Sequence, residues 1–225
     1  MDKVFLEHME NISVPEEVID QMEEFQEMNM IYSSAIREVR TKLEVLNDEF
    51  RIKRKHNPIE YMKTRVKSVP SIMEKLRKKG YTVSIQSAKD NLNDIAGVRV
   101  ICGYVKDIYS VAEMLVGQDD ITLVEVKDYI KDPKPNGYRS LHLVVEVPVF
   151  FSDRKQPVRV EVQIRTIAMA FWASLEHQLH YKTAEASPDE IVAELKDCAD
   201  VIASTDLRMQ SIHDTLKAME EEKKY

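Results

Sequence analysis

Val158-Arg159-Val160-Glu161-Val162-Gln163-Ile164-Arg165 alternates apolar and polar side chains over eight residues. Successive side chains of a strand point to opposite faces, so the valines and Ile164 line one face while Glu161, Gln163 and Arg165 share the other. The β-branched residues favour extended backbone. A face bearing a carboxylate, an amide and a guanidinium cannot be a dry core. It is either solvent-exposed or the floor of a polar site.

Upstream of this segment, 82–86 (TVSIQ), 97–105 (GVRVICGYV), 121–129 (ITLVEVKDY) and 141–150 (LHLVVEVPVF) read as further strands. A helix over 107–117 separates two of them. Residues 15–55 place Val18, Met22, Phe25, Ile36, Val39, Leu43, Leu46 and Phe50 at helical spacing, which predicts one or two amphipathic helices. A helix is also expected over 68–79, capped by Ser68 or Ser71, with Pro70 in its first turn and Gly80 ending it. Beyond the last strand, 166–182 and 188–222 read as helices separated at Ser187-Pro188. The expected fold is α/β (α+β): a mixed sheet of about five strands flanked by helices, in one compact domain with helical extensions at both ends.

Apolar residues make up 44% of the 225 and charged residues 32%, an ordinary globular balance. No stretch approaches a membrane span, and the acidic N-terminus lacks the basic start of a secretory signal. Two cysteines, Cys102 and Cys198, without metal-finger spacing, suit a reducing cytoplasm. The net charge of −7 is segregated. Residues 1–30 hold nine acids and one lysine, 51–79 hold eleven Lys or Arg against Glu60 and Glu74, and 185–225 hold eleven acids and five bases. A basic middle in an acidic chain points to a local anionic ligand, or else to a solvated helical face.

Three further groups bear chemistry. Asp94 stands ahead of an apolar strand beside Gly97, and two acids at sheet edges can share Mg²⁺ with substrate phosphates; a turn or cap is the structural alternative. Arg65 and Lys67 precede the 68–79 helix, and Ser71, Lys75 and Lys79 recur along one of its faces, with Lys78 adjacent. Helix N-terminal amides with Lys and Arg make a polyphosphate cradle, although no Walker loop occurs. Lys134-Pro135-Asn136-Gly137-Tyr138-Arg139-Ser140 is a turn entering a strand, and Tyr138 there either stacks on a nucleobase or packs.

In order along the chain, HNPIEYMKTRVKSVPSIMEKLRKKG (56–80), NDIAGVRVIC (93–102), VKDYIKDPKPNGYRSLHLVVE (126–146) and VEVQIRTIAMAFWASLEHQLHYK (160–182) resemble the synthetase domain of the RelA/SpoT family. The short chain looks like a small alarmone synthetase of the RelP type. The resemblance implies a nucleotidyltransferase-like core over 56–182, between helical extensions 1–55 and 183–225, with no hydrolase domain. It implies transfer of pyrophosphate from ATP to the 3′-hydroxyl of GDP or GTP, giving (p)ppGpp and AMP in the stringent response. On that reading Arg65, Lys67, Ser71, Lys75, Lys78 and Arg99 hold ATP; Asp94 and Glu161 bind Mg²⁺, with Glu161 also the base. Tyr138 stacks on guanine, and Lys127, Lys134, His142, Gln163 and Glu176 surround the acceptor. Relatives are homotetramers, so the same assembly is expected here. His213-Asp214 reads as surface and Glu176-His177 as part of the family's helix motif rather than a metal site. The basic run 51–55 (RIKRK) leaves room for single-stranded RNA binding. The competing readings are another acceptor nucleotide, or a catalytically idle nucleotide- or RNA-binding regulator.

Overall fold

The computed structural model describes residues 16–54, 56–182 and 189–222. Its sheet is built from β1 (Ile59–Val66), β2 (Ala96–Cys102), β3 (Thr122–Asp128), β4 (Leu141–Phe150) and β5 (Lys155–Thr166), in the spatial order β1-β2-β5-β4-β3. β2 and β5 run parallel, and every other pairing is antiparallel. The helices are α1 (Glu16–Arg54), α2 (Val69–Lys78), α3 (Ile85–Asn91), α4 (Val105–Val116), α5 (Ile167–Lys182) and α6 (Asp189–Glu222).

The alternation in β5 fixes what the sheet buries. Val158, Val160, Val162 and Ile164 join Val98, Val100, Leu143, Val145 and Val147 in the core, under α1 and α4. α1 is one 39-residue helix. It presents Met28, Ile31, Ala35, Val39 and Leu43 to that core at helical spacing. Burying each Val or Ile is worth about 1.5–3 kcal/mol. A one-residue slip of β5 would exchange four of them for Arg159, Glu161, Gln163 and Arg165, so the register is strongly held.

One predicted strand is replaced by another. Residues 82–86 are not in the sheet: Ser84 Oγ accepts the Ser87 N–H at 3.0 Å and caps α3, so Ile85 and Gln86 begin a helix. The fifth strand is β1, inside the basic segment. It lies at the edge with only Ile59 fully buried, and it carries Glu60, Lys63 and Arg65 outward, which hides the strand period and protects the edge. α2 starts at Ser68, whose hydroxyl bonds Ser71 Oγ at 3.0 Å rather than capping a backbone N–H. Gly80, at φ 75°, ends it as expected. His213 and Asp214 are not free surface: His213 stacks on Tyr104 with centroids 4.1 Å apart, and Asp214 accepts from Lys106 at 2.7 Å, docking α6 on the start of α4. The expected break at Ser187-Pro188 lies outside the described residues. Among the described residues no helix is long and apolar enough to cross a membrane.

Candidate active site

Two register rows cross the face of the sheet opposite α1 and α4. In the first, Lys63 of β1 pairs with Arg99 of β2, Arg99 with Gln163 of β5, Gln163 with His142 of β4, and His142 with Lys127 of β3. In the second, Arg65, Gly97, Glu161, Val144 and Glu125 follow one another in the same strand order. Gly97 stands between Arg65 and Glu161, so no side chain fills the space between them. A cleft of about 240 Å³ opens there, lined by Lys63, Arg65, Asp94, Arg99, Glu161 and Gln163 among others. It meets, at Arg65, a second cleft of about 540 Å³ lined by Lys67, Ser68, Ser71, Lys75 and Lys78. Arg65 thus joins the carboxylates of the first cleft to the Ser71, Lys75 and Lys78 side of the basic cradle.

Asp94 sits just before β2, where the backbone amide of Lys67 bonds the Ile95 carbonyl at 2.8 Å and brings the end of β1 alongside. Lys67 and Lys75 both donate to Asp94 Oδ2 at 2.5 Å, while Oδ1 is buried with no hydrogen-bond partner. Burial raises the Asp94 pKa, but the two ammonium groups outweigh it and hold the carboxyl below its usual range. An orphaned, buried, hard oxygen beside a cleft with a second carboxylate fits a small divalent cation. Among the described residues no group of three or more His, Cys, Asp or Glu is arranged to hold a metal, so any ion here relies on two carboxylates and its substrate.

Glu161 is part of a closed ring of side chains. Arg165, 4% exposed beneath α5, donates to Tyr138 Oη and, at 2.9 Å, to Gln163 Oε1. Gln163 Nε2 donates to Glu161 Oε2 at 2.7 Å, and His142 Nδ1 lies 3.3 Å from Glu161 Oε1. His142 Nε2 is 2.8 Å from Tyr138 Oη, which closes the ring. Guanidinium only donates and carboxylate only accepts, which fixes the direction of the Arg165 and Gln163 bonds in the ring. The two ring nitrogens of His142 face Glu161 and the Tyr138 hydroxyl. Burial raises the Glu161 pKa; His142 and Gln163 more than offset it, so the carboxyl is ionised at neutral pH. Burial also raises the Tyr138 pKa above its usual value, against the pull of Arg165.

The turn before β4 supplies an aromatic platform. Lys134 Nζ lies 4.7 Å from the Tyr138 ring centroid and 4.9 Å from that of Tyr129. Asn136 donates to Glu176 at 3.2 Å, and its own Oδ1 accepts the Tyr138 N–H at 3.2 Å, joining the turn to α5. Lys127 pairs with Glu125 at 3.0 Å on the edge strand, and its pKa is raised chiefly by that bond. The clefts, this face and its turn thus bring together the residues assigned from the sequence, apart from Lys79, which caps the end of α2 and lines neither cleft. Lys63, Tyr129 and Arg165 were not assigned. Lys63 was hidden with the unread strand β1, whereas Arg165 was signalled by standing four residues after Glu161 on the same face.

A family model described as a region found in RelA / SpoT proteins matches residues 64–186. The chain is 44% identical over 191 residues to the GTP pyrophosphokinase YwaC of Bacillus subtilis, covering 85% of this chain and 91% of the relative. The small alarmone synthetase 2 structure from the same organism superposes with a TM-score of 0.77 at 43% identity, over 85% of this chain and 99% of that one. The small alarmone synthetase 1 structure bound to its product pppGpp gives 0.78 at 37% identity, over 85% and 97%. With that match spanning more than half of its length and these relatives covered almost end to end, the chain belongs to the RelA/SpoT family.

Proposed function

We propose that this chain is a GTP pyrophosphokinase that makes (p)ppGpp, as the names of its relatives and the product-bound neighbour indicate. The observation that carries the assignment of roles is the register of β1, β2 and β5, which sets the cradle of Arg65, Lys67, Ser71, Lys75 and Lys78 against Asp94 and Glu161. The cradle takes the ATP phosphates, with Arg99 at their inner end. Tyr138 carries the guanine, and Lys127, Lys134, His142, Gln163 and Glu176 surround the rest of the acceptor. Glu161 accepts the proton of the 3′-hydroxyl. The 3′-oxygen bonds to the β-phosphorus of ATP, the bond from that phosphorus to the α,β-bridging oxygen breaks, and AMP leaves. Asp94 and Glu161 would hold Mg²⁺, whose chemistry there is to neutralise charge on the phosphates. Lys67 and Lys75 exchange Asp94 for phosphate oxygens when ATP arrives.

The test is incubation with Mg²⁺, ATP and GDP or GTP, resolving nucleotides by ion exchange. A guanine nucleotide gaining two phosphates with equimolar AMP is expected, and none when Mg²⁺ is chelated. Folded protein that yields no AMP would instead leave an idle regulator. We place the catalytic core at 56–182 and the protein in the cytoplasm, where its free Cys102 and Cys198 stay reduced. A homotetramer is supported by the exposed apolar stripe Ile167, Phe171, Leu175 and Leu179 on α5. Phe171→Glu should lower the mass measured by light scattering, and an unchanged mass counts against that interface. RNA binding has less support: Arg51 and Lys53 are paired with Asp48 and Glu49. Salt-insensitive or absent retention of single-stranded RNA would remove it.

A further inference from the structure

The turn that carries Tyr138 does not rest only on the sheet. Its apex, Gly137, has φ 86° and lies flat against α6: a β-carbon there would come 2.5 Å from Ala199 Cβ and 3.1 Å from Lys196 Cα. Both the backbone angle and the contact therefore call for glycine. The next but one residue, Arg139, reaches over the same spot. Its Nη1 donates to the Gly137 carbonyl at 3.0 Å and to the Ala199 carbonyl at 3.3 Å, and its Nη2 donates to Asp200 Oδ1 at 2.7 Å. The Arg139 side chain is 16% exposed and Asp200, which also accepts from Lys196 at 2.8 Å, is 44% exposed. On the far side of the turn Trp172, from α5, donates to the Leu195 carbonyl of α6 at 2.9 Å, with its ring centroid 6.5 Å from that of Tyr138. Backbone, guanidinium and indole thus fasten one turn to one helix. The helix residues involved, 195–200, all lie beyond the family-defining region that ends at 186.

We propose that Arg139 and Asp200 are positioning residues: they clasp the acceptor turn to α6, so that the C-terminal helix sets the pose of Tyr138 and with it the affinity for the guanine nucleotide. The proposal rests on Tyr138 being the acceptor platform. It assigns α6 a part in substrate selection through the turn, with no contact to either nucleotide. The ATP cradle on β1 and α2 shares no residue with the clasp, so ATP affinity is independent of it. Ala199 matters by its size, because a larger side chain there occupies the space that Gly137 fills.

The experiment is calorimetric binding of GDP and, separately, of ATP to the full chain, for the parent, Asp200→Asn, Ala199→Leu and the conservative Asp200→Glu. Asp200 is exposed enough that its amide variant keeps the fold, which thermal melting checks. A GDP dissociation constant raised about tenfold in Asp200→Asn and further in Ala199→Leu is expected, with that for ATP within twofold of the parent. Asp200→Glu, which keeps a carboxylate for Arg139, should retain most of the GDP affinity. GDP binding at parental strength in both Asp200→Asn and Ala199→Leu overturns the clasp, and so does an equal loss of GDP and ATP affinity. A parent that does not bind GDP at all overturns the acceptor platform itself, which separates the two failures.

Discussion

Replacing Glu161 by glutamine changes one atom of the side chain and tests the assignment most directly. Both carboxylate oxygens accept in the free protein, from Gln163 Nε2 at 2.7 Å and from the His142 Nδ1 side at 3.3 Å. An amide can accept at only one of them. Gln163 cannot turn over to help, because its Oε1 accepts from Arg165 at 2.9 Å. The remaining solution sets the new amide nitrogen toward His142, whose Nδ1 must then accept. Only hydrogen bonds within this ring are rearranged, so stability should change by about 1 kcal/mol. Activity should not be spared. A general base contributes about 10²–10⁴-fold, or roughly 2.7–5.5 kcal/mol of barrier. The parent carboxyl is held below its ordinary range, so its own protonation falls below about pH 4.5 and turnover should be flat from pH 6 to 8 as far as Glu161 is concerned. The assay is AMP release at saturating ATP and acceptor, with Mg²⁺ raised stepwise, beside thermal melts and ¹⁵N spectra of the histidines. Recovery at high Mg²⁺ would assign Glu161 to the cation alone. A kcat within tenfold of the parent at every Mg²⁺ concentration, with an unchanged melt, would refute both roles.

Two further substitutions follow from the same geometry. Asp94→Asn leaves Lys67 and Lys75 facing each other without their carboxylate, at a cost of about 2 kcal/mol, below the 3–5 of a fully buried pair because Lys75 is 34% exposed. The Asp94 pKa is depressed, so its contribution is complete above about pH 4 and is lost as pH falls through the folded value. Urea midpoints should show a gap between parent and variant that closes only under acid; a gap independent of pH would contradict the pairing. Tyr138→Phe keeps the ring and should hold acceptor KM within about threefold, whereas Tyr138→Ala loses a stack worth about 1–3 kcal/mol, or roughly 5–150-fold. Equal effects of the two would show that the hydroxyl, not the ring, is what the acceptor needs.

The sequence displayed β5 plainly because its period is unbroken and its inner face is wholly buried: Val160, Val162 and Ile164 are 0% exposed. β1 was illegible for the opposite reason. An edge strand buries little, and its Lys63 and Arg65 serve a cleft rather than a core, so charge overrides the β pattern. TVSIQ misled because its three β-branched residues, Thr82, Val83 and Ile85, suit a strand locally, while the Ser84 cap decides for a helix. The resemblance pointed to the cradle and to the two carboxylates, and the fold sets Arg65, Lys67 and Lys75 beside them. It could not display the ring through Arg165 or the clasp through Arg139, since both depend on which residues lie opposite one another across separate strands and helices.

In the free protein several charged groups of the site already have partners that substrates can replace. Lys67 and Lys75 hold Asp94, His142 and Gln163 hold Glu161, and Lys127 holds Glu125. ATP must therefore compete with Asp94 for the two lysines, and a cation must compete with the two lysines for Asp94. Each ligand alone strands a charge that the other would satisfy, so their affinities are linked, typically by about 5–150-fold, and the linkage is reciprocal. The consequence is a change of sign. Without Mg²⁺, Asp94→Asn should bind ATP more tightly than the parent, because its lysines are already released. With Mg²⁺ it should bind ATP less tightly, because the cation has lost a ligand. Calorimetric ATP titrations of parent and variant, with Mg²⁺ and with chelator, decide the matter; an affinity order that does not invert between the two conditions would mean that Asp94 is a structural counter-ion and not part of the nucleotide site.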